Sequence, residues 1–458
     1  MATSGITGGS QIDVQSLVAQ LVAAERKPLD DQVTRATTKV TTQISATSAL
    51  LGALSAFQSQ LNGLKTTTAF SGRATSSTDA DIATATATTS AVPGRYDVEV
   101  QSLASAQQLS STAFVGGSSA VAGTGQLTIS LGSSSFNVNI GASANTLADV
   151  RNAINSATDN PGVTATIINA SDGAHLVLTS TKTGAANAIT VAQTGTLNRL
   201  EYSSTNTANY TQLRGAADAT VVIAGYTTTS PTNVIENVID GVSLNLVSAE
   251  PGTTVGIDVT YDKAAAKDKV NSFVQAYNSL RTMLTALGGY NSTTKVAGPM
   301  LGDSMLAGID SEIRRTLSEP VAAAGNGAVQ TLADIGIATQ KDGSLKVDDA
   351  KLTAALNSNF DAVSRLFGTE ETGVASRLYS QIGDRLADGA ALDMRTESLQ
   401  TQKRALEKKS ADIDTRMAIV QKTYLAQFTR LDTLLSSLSS TSAYLGQQID
   451  SLPKWSTD

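Results

Sequence analysis

The sequence predicts an α+β multidomain protein in which two helical chain ends pair and flank an inserted β-rich middle. Near both ends, apolar residues recur at spacings of three, four and seven, as one face of a helix requires. Between about residues 71 and 262 they alternate instead with period two, which is typical of half-buried strands. Neither end has another element on which to bury its apolar face, so we expect the two ends to pack on each other.

The N-terminal stripe falls into two parts separated by Pro28. The first part contains Ile12, Leu17, Val18 and Leu21. Because proline fits the first turn of a helix, where its missing N–H costs little, we expect a second helix to begin at Pro28. The residues on the apolar face of that second helix are Val33, Val40, Ile44, Leu51, Leu54, Phe57, Leu61 and Leu64.

The C-terminal end carries a heptad pattern that predicts a coiled-coil-like seam. Nine of twelve a and d positions are apolar, and Phe428 and Leu435 widen the stripe to the width of a bundle face. An ordinary amphipathic helix packed on a globular core is the alternative. The a positions are Leu406, Ile413, Val420, Gln427, Leu434 and Thr441, and the d positions are Ser410, Met417, Tyr424, Leu431, Leu438 and Leu445.

Turn residues divide the β-rich middle into strands and hairpins. Residues 132–135 (Gly-Ser-Ser-Ser) separate two alternating runs, and residues 171–173 (Ser-Asp-Gly) separate two more, so each turn predicts a hairpin. One helix is expected after Thr146, a suitable N-cap, and before Pro161. Helices are expected to return after Lys263.

Composition narrows the functional classes. A length of 458 residues suggests two to four domains, and the net charge of -7 argues against a nucleic-acid binder, which needs a basic face. The absence of cysteine excludes a disulfide framework, a thiolate zinc site and a cysteine nucleophile. Residues 1–20 contain neither a basic n-region nor an apolar h-region, so we expect no cleaved signal peptide.

The sequence contains no recognised catalytic pattern. Walker loops, dinucleotide fingerprints, G-x-S-x-G elbows and H-E-x-x-H motifs are all absent. The single histidine, His175, is interpreted as an ordinary strand or turn residue, because a metal or triad role would need partners that the sequence does not supply. Residues 342–344 (Asp-Gly-Ser) do not follow the order of an EF-hand loop and predict a hairpin turn. We therefore predict no enzyme activity, no cofactor and no metal.

Several stretches, in order along almost the whole chain, resemble the bacterial flagellar filament cap family, also called hook-associated protein 2. Residues 9–28 resemble the family's opening helix, although Gln11 stands where a small residue is usual. Residues 146–165 resemble a repeat shared by flagellins and hook-associated proteins. The later stretches are Phe273-Val-Gln-Ala-Tyr-Asn278, Gly302-Asp303, Ala333-Asp-Ile-Gly-Ile337, Asp342-Gly-Ser-Leu345, Leu366-Phe-Gly368 and Tyr444-Leu-Gly-Gln-Gln448.

The resemblance implies four domains. In the family, a terminal helical leg and a mostly helical stalk domain are each built from both chain ends. Two β-rich head domains follow, the outer one inserted in the inner one. The implied bounds are 1–32 with 425–458 for the leg, 33–70 with 263–424 for the stalk, 71–111 with 216–262 for the inner head, and 112–215 for the outer head.

The resemblance also implies a structural role outside the cell, at the distal tip of the filament. Family members form a ring-shaped homo-oligomer there and promote the folding and insertion of exported flagellin. The implied partners are flagellin, hook-associated proteins, an export chaperone and the type III export apparatus, which exports the chain without a cleaved signal. The alternatives are a surface adhesin that binds host glycans and a component of the hook–filament junction.

Partner or oligomer contacts are expected on the two terminal stripes, because an exposed apolar stripe is an aggregation liability and a natural docking site. The candidates on the N-terminal helix are Leu17, Val18 and Leu21. Those near the C-terminus are Leu425, Phe428, Leu431, Leu434, Leu435, Leu438 and Leu445.

Overall fold

The protein, described here from a computed structural model, consists of two compact units. The structure describes residues 13–322 and 329–451. Unit 1 is formed by both chain ends, up to Thr67 and from Lys269 onward, and unit 2 contains Thr68–Asp268. The predicted α+β class is confirmed: long helices come from the two ends, and the inserted middle is rich in strands. The bounds of the four domains stay predictions.

The described helices are long at the two ends and short between them. They are α1 (Val14–Asn62), α2 (Leu147–Ser156), α3 (Lys263–Gly288), α4 (Ser304–Ser318), α5 (Asp349–Ser358), α6 (Phe360–Gly368), α7 (Val374–Leu386) and α8 (Ala391–Asp450).

The described strands lie mostly in unit 2. They are β1 (Arg73–Ser77), β2 (Ala83–Ala87), β3 (Gly94–Ser102), β4 (Gln108–Ser111), β5 (Gly125–Leu131), β6 (Ser134–Ile140), β7 (Val163–Ala170), β8 (Gly173–Ser180), β9 (Ile189–Gln193), β10 (Tyr210–Arg214), β11 (Ala219–Ile223), β12 (Tyr226–Ser230), β13 (Val234–Ile239), β14 (Val242–Leu246), β15 (Thr254–Tyr261), β16 (Tyr290–Asn291), β17 (Val296–Ala297), β18 (Ile337–Thr339) and β19 (Leu345–Val347).

Helix α1 runs through Pro28 without a break, so the expected start of a second helix at Pro28 is wrong. Proline removes the hydrogen bond to the carbonyl of Ala24, but both residues are exposed and that carbonyl can bond to water. Val18 and Val33 are buried on either side of Pro28. Their packing offsets the local cost, because most helical stability comes from tertiary contacts.

The core of unit 1 is apolar and aromatic. The ring centroids of Phe57 and Phe273 lie 6.1 Å apart, and those of Phe273 and Phe367 lie 5.4 Å apart. An 18-residue window of α1 has a mean hydropathy of 1.2, which by length and composition alone would suit a membrane span. A third of that window is buried, and the packed face of α1 includes the fully buried residues Leu54 and Leu61.

Unit 2 contains two cores, each built from antiparallel sheets. The first lies between the five-stranded sheet β1-β15-β3-β11-β12 and the three-stranded sheet β13-β14-β2. The second lies among the sheet β10-β4-β8-β7, the sheet β6-β5-β9 and helix α2. Both predicted hairpins are confirmed as the pairs β5–β6 and β7–β8.

Helix α2 begins as predicted at Thr146 and also protects the edge of a sheet. The Thr146 hydroxyl accepts a hydrogen bond from the Asp149 amide, and the Asp149 carboxylate accepts one from the Thr146 amide, which completes a capping box. At the other end of α2, the Asn155 side chain donates to the Ala165 carbonyl and accepts from the Ala165 amide, both at 2.8 Å. Because β7 is an edge strand, Asn155 occupies backbone groups that would otherwise be open.

Candidate partner-binding surface

Helices α1 and α8 pair through a small apolar core. Val33 of α1 and Ile413 and Met417 of α8 are buried together, and partly buried Val22, Leu29 and Val420 pack around them. Ile413 and Met417 lie four residues apart and are consecutive positions of the heptad pattern, so the predicted seam exists in this part of α8.

Polar contacts flank this core on both helices. The Arg26 guanidinium lies 2.7 Å from the Asp30 carboxylate and 2.5 Å from that of Asp414, so it links α1 to α8. The hydrogen bond that Arg26 donates to the Asp30 carboxylate is the main cause of the raised pKa of Arg26. The Tyr424 hydroxyl donates to the Glu25 carboxylate at 3.3 Å. Since these side chains are partly exposed, they orient the helices more than they stabilise them.

Beyond Tyr424 the same stripe becomes progressively exposed. Leu425 and Phe428 are half-buried, whereas Leu431 is 44% exposed and Leu438 is 56% exposed. We use the name distal stripe for the exposed part, which consists of Leu431, Leu434, Leu435, Leu438 and Leu445. The heptad continues through it, so the change lies in what covers the helix face and not in the helix itself.

The beginning of α1 lies beside the start of the distal stripe. Val14 lines a narrow gap together with Phe428, Leu431 and Leu435. Of the N-terminal candidates, Val18 is buried, Leu17 is half-buried and Leu21 is 40% exposed. Residues 1–12 and 452–458, the outermost parts of the predicted leg, lie outside the described residues.

The structure adds two residues to the seam that the sequence analysis missed. Leu392 and Leu399 on the first turns of α8 are buried. Leu399 lies seven residues before Leu406 and Leu392 fourteen, so extending the heptad backward by two repeats would have found them.

An open groove of about 1000 Å³ beside α3 offers little chemistry. The charged residues that line it are Arg281 and Asp342, and Arg281 donates to the Asp342 carbonyl at 3.0 Å and to the Asp310 carboxylate at 2.7 Å. The Ser344 hydroxyl lowers the pKa of the Asp342 carboxyl, which therefore stays ionised and is a poor general acid. Within residues 13–322 and 329–451, no three His, Asp or Glu side chains are grouped to hold a metal.

Comparison with known proteins first defines the class. Residues 126–182, which span β5 to β8 and helix α2, match the family described as the flagellin hook IN motif. The match indicates a flagellar protein. The motif lies in the β-rich insertion between the paired terminal helices.

The particular family follows from the rest of the chain. The hook-associated protein 2 N-terminus matches residues 10–107, and the hook-associated protein 2 C-terminus matches residues 216–440. The A-type flagellar hook-associated protein 2 of Pseudomonas aeruginosa is 33% identical over 99% of each chain. The chain therefore belongs to the flagellar hook-associated protein 2 family.

Further relatives agree in sequence and in fold. The flagellar hook-associated protein 2 of Escherichia coli is 30% identical, and the alignment covers 98% of each chain. A crystal structure of the flagellar cap protein FliD from Escherichia coli matches with a TM-score of 0.61 and 29% identity. That match covers 78% of this chain and 99% of the crystallised one.

Proposed function

We propose that this protein is the structural cap at the distal tip of a bacterial flagellar filament, where it promotes the folding and insertion of exported flagellin. Its membership of the hook-associated protein 2 family supports this role. The protein acts by binding and shelter and not by covalent chemistry. It is extracellular and reaches the tip through the type III export apparatus without a cleaved signal. A chain without cysteine suits that route, because no disulfide has to form after export.

The single observation that carries the mechanism is the exposure of the distal stripe. Leucines at heptad spacing form a face that fits another amphipathic helix. Before export, this face suits a chaperone that keeps the chain soluble. After export, it suits the helices of flagellin or of hook-associated proteins at the filament end. The candidates Leu425 and Phe428 mark where the covered seam gives way to this face.

Copies of the chain assemble into a closed ring, with one heterologous interface repeated around an axis. The charged fraction of only 16% supports this, because a weakly charged surface opposes association little. Light scattering at high protein concentration should detect oligomers. A strictly monomeric protein at every concentration would contradict the ring.

The function is tested in a strain that lacks the gene. We expect this strain to secrete flagellin as monomers, to build no filament, and to recover filaments when the wild-type protein is supplied. An antibody label should lie at the filament tip. A label at the hook–filament junction would favour the junction alternative, and binding of host glycans by a strain without flagella would favour an adhesin.

The distal stripe is tested in the same strain with Leu431→Asp, which places a charge on the proposed contact face. We expect this variant to be stable but to restore few filaments. The matched control is Ile419→Asp, since Ile419 is also exposed on α8 but lies outside the distal stripe. Full filament recovery with Leu431→Asp would show that the distal stripe is not the contact surface.

A further inference from the structure

The single histidine of the chain links two segments that are far apart in sequence. His175 lies on β8, where it is paired with Ile168 of β7. One ring nitrogen, Nδ1, is 2.7 Å from the backbone carbonyl oxygen of Ser111 at the end of β4. The other, Nε2, is 3.1 Å from the carboxylate of Asp172 in the β7–β8 turn. Its side chain is 19% exposed, so water has only limited access to it.

Both neighbours of the ring are hydrogen-bond acceptors, and this determines which protonation state fits. A neutral imidazole has one N–H donor and one lone pair, so it can serve only one of the two oxygens. The lone pair on its other nitrogen would then face an oxygen. The imidazolium has two N–H donors and satisfies both.

We propose that His175 is a proton-operated latch in the second core of unit 2, closed between β4 and the β7–β8 turn when the ring is charged and loosened when it is neutral. Of the two ring contacts, the one to the Ser111 carbonyl is the shorter, at 2.7 Å. The contact that opens is the one to Asp172, because its side chain is 64% exposed and can turn toward solvent.

The latch lies next to a backbone bridge that should respond to it. The Phe114 amide donates to the Ala174 carbonyl at 2.8 Å, and the Ala174 amide donates to the Phe114 carbonyl at 3.0 Å. Since Ala174 lies between Asp172 and His175 in the chain, loosening the turn should expose these two amides more often.

The groups around His175 favour its charged form overall. The Ser111 carbonyl and the Asp172 carboxylate raise the pKa of His175, in that order of size, and the histidine in turn lowers the pKa of Asp172. The Arg199 guanidinium is held over the Phe114 ring and donates to the Ala113 carbonyl, and it is not among the groups that shift the pKa of His175. The hydroxyl of Tyr210, on β10, is neutral because burial raises its pKa. Strands β4 and β7 contain no titratable residue.

The sign of the pH effect follows from linkage. A histidine with a raised pKa in the folded state adds stability that is fully present below its unfolded pKa of about 6.5 and is lost as the pH rises through the folded pKa. Asp172 acts in the opposite sense, and its contribution is lost as the pH falls through its own lowered pKa. The latch should therefore be tightest in mildly acidic solution.

The first test is an NMR titration of the full-length protein. The imidazole signal is identified by its loss in His175→Gln. We expect His175 to titrate above the ordinary histidine value of about 6.5, and we expect Asp172→Asn to lower that pKa. A pKa at or below 6.5, or one that Asp172→Asn leaves unchanged, would overturn the latch.

The second test is hydrogen exchange at the amides of Phe114 and Ala174. After correction for intrinsic exchange, we expect their protection in the wild type to fall about twofold or more between about pH 6 and about pH 8. In His175→Gln protection should not change with pH. A purely structural histidine would instead give wild-type protection that is as independent of pH as that of the variant, and this result would also overturn the proposal.

Discussion

Two parts of helix α8 share one heptad pattern but differ in what covers them. Around Ile413 and Met417 the a and d residues are buried against α1, whereas from Leu431 onward the same positions are exposed. Both parts are continuous helix. A heptad pattern therefore identifies the apolar face of a helix. It does not identify the helix that packs on that face, because this depends on which other helix extends alongside it.

The largest effect on stability is expected from Met417→Asp. Met417 is 2% exposed, so the substitution buries an unpaired charge and removes apolar contacts, at a cost of about 3 kcal/mol or more. Circular dichroism should show a loss of helix, and hydrogen exchange should show faster exchange along the α1–α8 pair. Met394→Asp is the matched control, because Met394 is 57% exposed on the same helix. Equal losses in the two variants would mean that burial against α1 is not what stabilises this part of α8.

An opposite effect is expected from Pro28→Ala. Alanine restores the N–H that can donate to the carbonyl of Ala24 and relieves the clash of the proline ring, which should stabilise α1 by about 1–3 kcal/mol. Part of the gain is offset because alanine gives the unfolded chain more freedom. Slower hydrogen exchange of the amides around Pro28 would confirm the gain. Faster exchange would show that α1 needs the proline.

A smaller effect is expected from Arg26→Ala. The variant breaks the link between α1 and Asp414, but the partners are about half exposed, so helical content should fall only slightly. The loss of helical content should disappear at about 1 M salt, where the Debye length is about 3 Å. Asp414→Asn should reproduce the effect, and the double variant should add little to it. A loss that persists in high salt would indicate packing by the Arg26 stem instead.

The smallest effect on the free monomer is expected from Leu431→Asp. Because Leu431 is 44% exposed, the free energy of unfolding should change by no more than about 0.5 kcal/mol. Thermal unfolding of the purified protein measures this change. A large destabilisation would place Leu431 in the intramolecular seam and would remove the contrast between the two parts of α8.

Local signals predicted the elements well. Thr146 and Asp149 specify the start of α2 by themselves, because a capping box needs only residues three apart. The turn at residues 171–173 specified the β7–β8 hairpin for the same reason. The helix start predicted at Pro28 was wrong because the effect of a proline on α1 depends on burial elsewhere along the helix.

Non-local contacts could not be predicted from the sequence. The Ser111 carbonyl that holds His175 lies 64 residues earlier, and no local pattern pairs the two. The candidate contact residues shared one pattern, and the sequence could not tell buried Val18 from exposed Leu438. That distinction depends on where α1 begins relative to α8.

The contact of Asn155 with the edge strand β7 has a consequence for folding when several copies of the chain are close together. When copies of a chain fold near one another, an open strand edge competes with the correct partner for backbone hydrogen bonds. With its two bonds to Ala165, Asn155 closes part of the β7 edge in the folded protein. Asn155 and Ala165 are only ten residues apart in sequence, so this contact forms within one chain and needs no second copy. The bonds between Asn155 and Ala165 thus leave fewer backbone groups on β7 with which a strand of a neighbouring copy could pair.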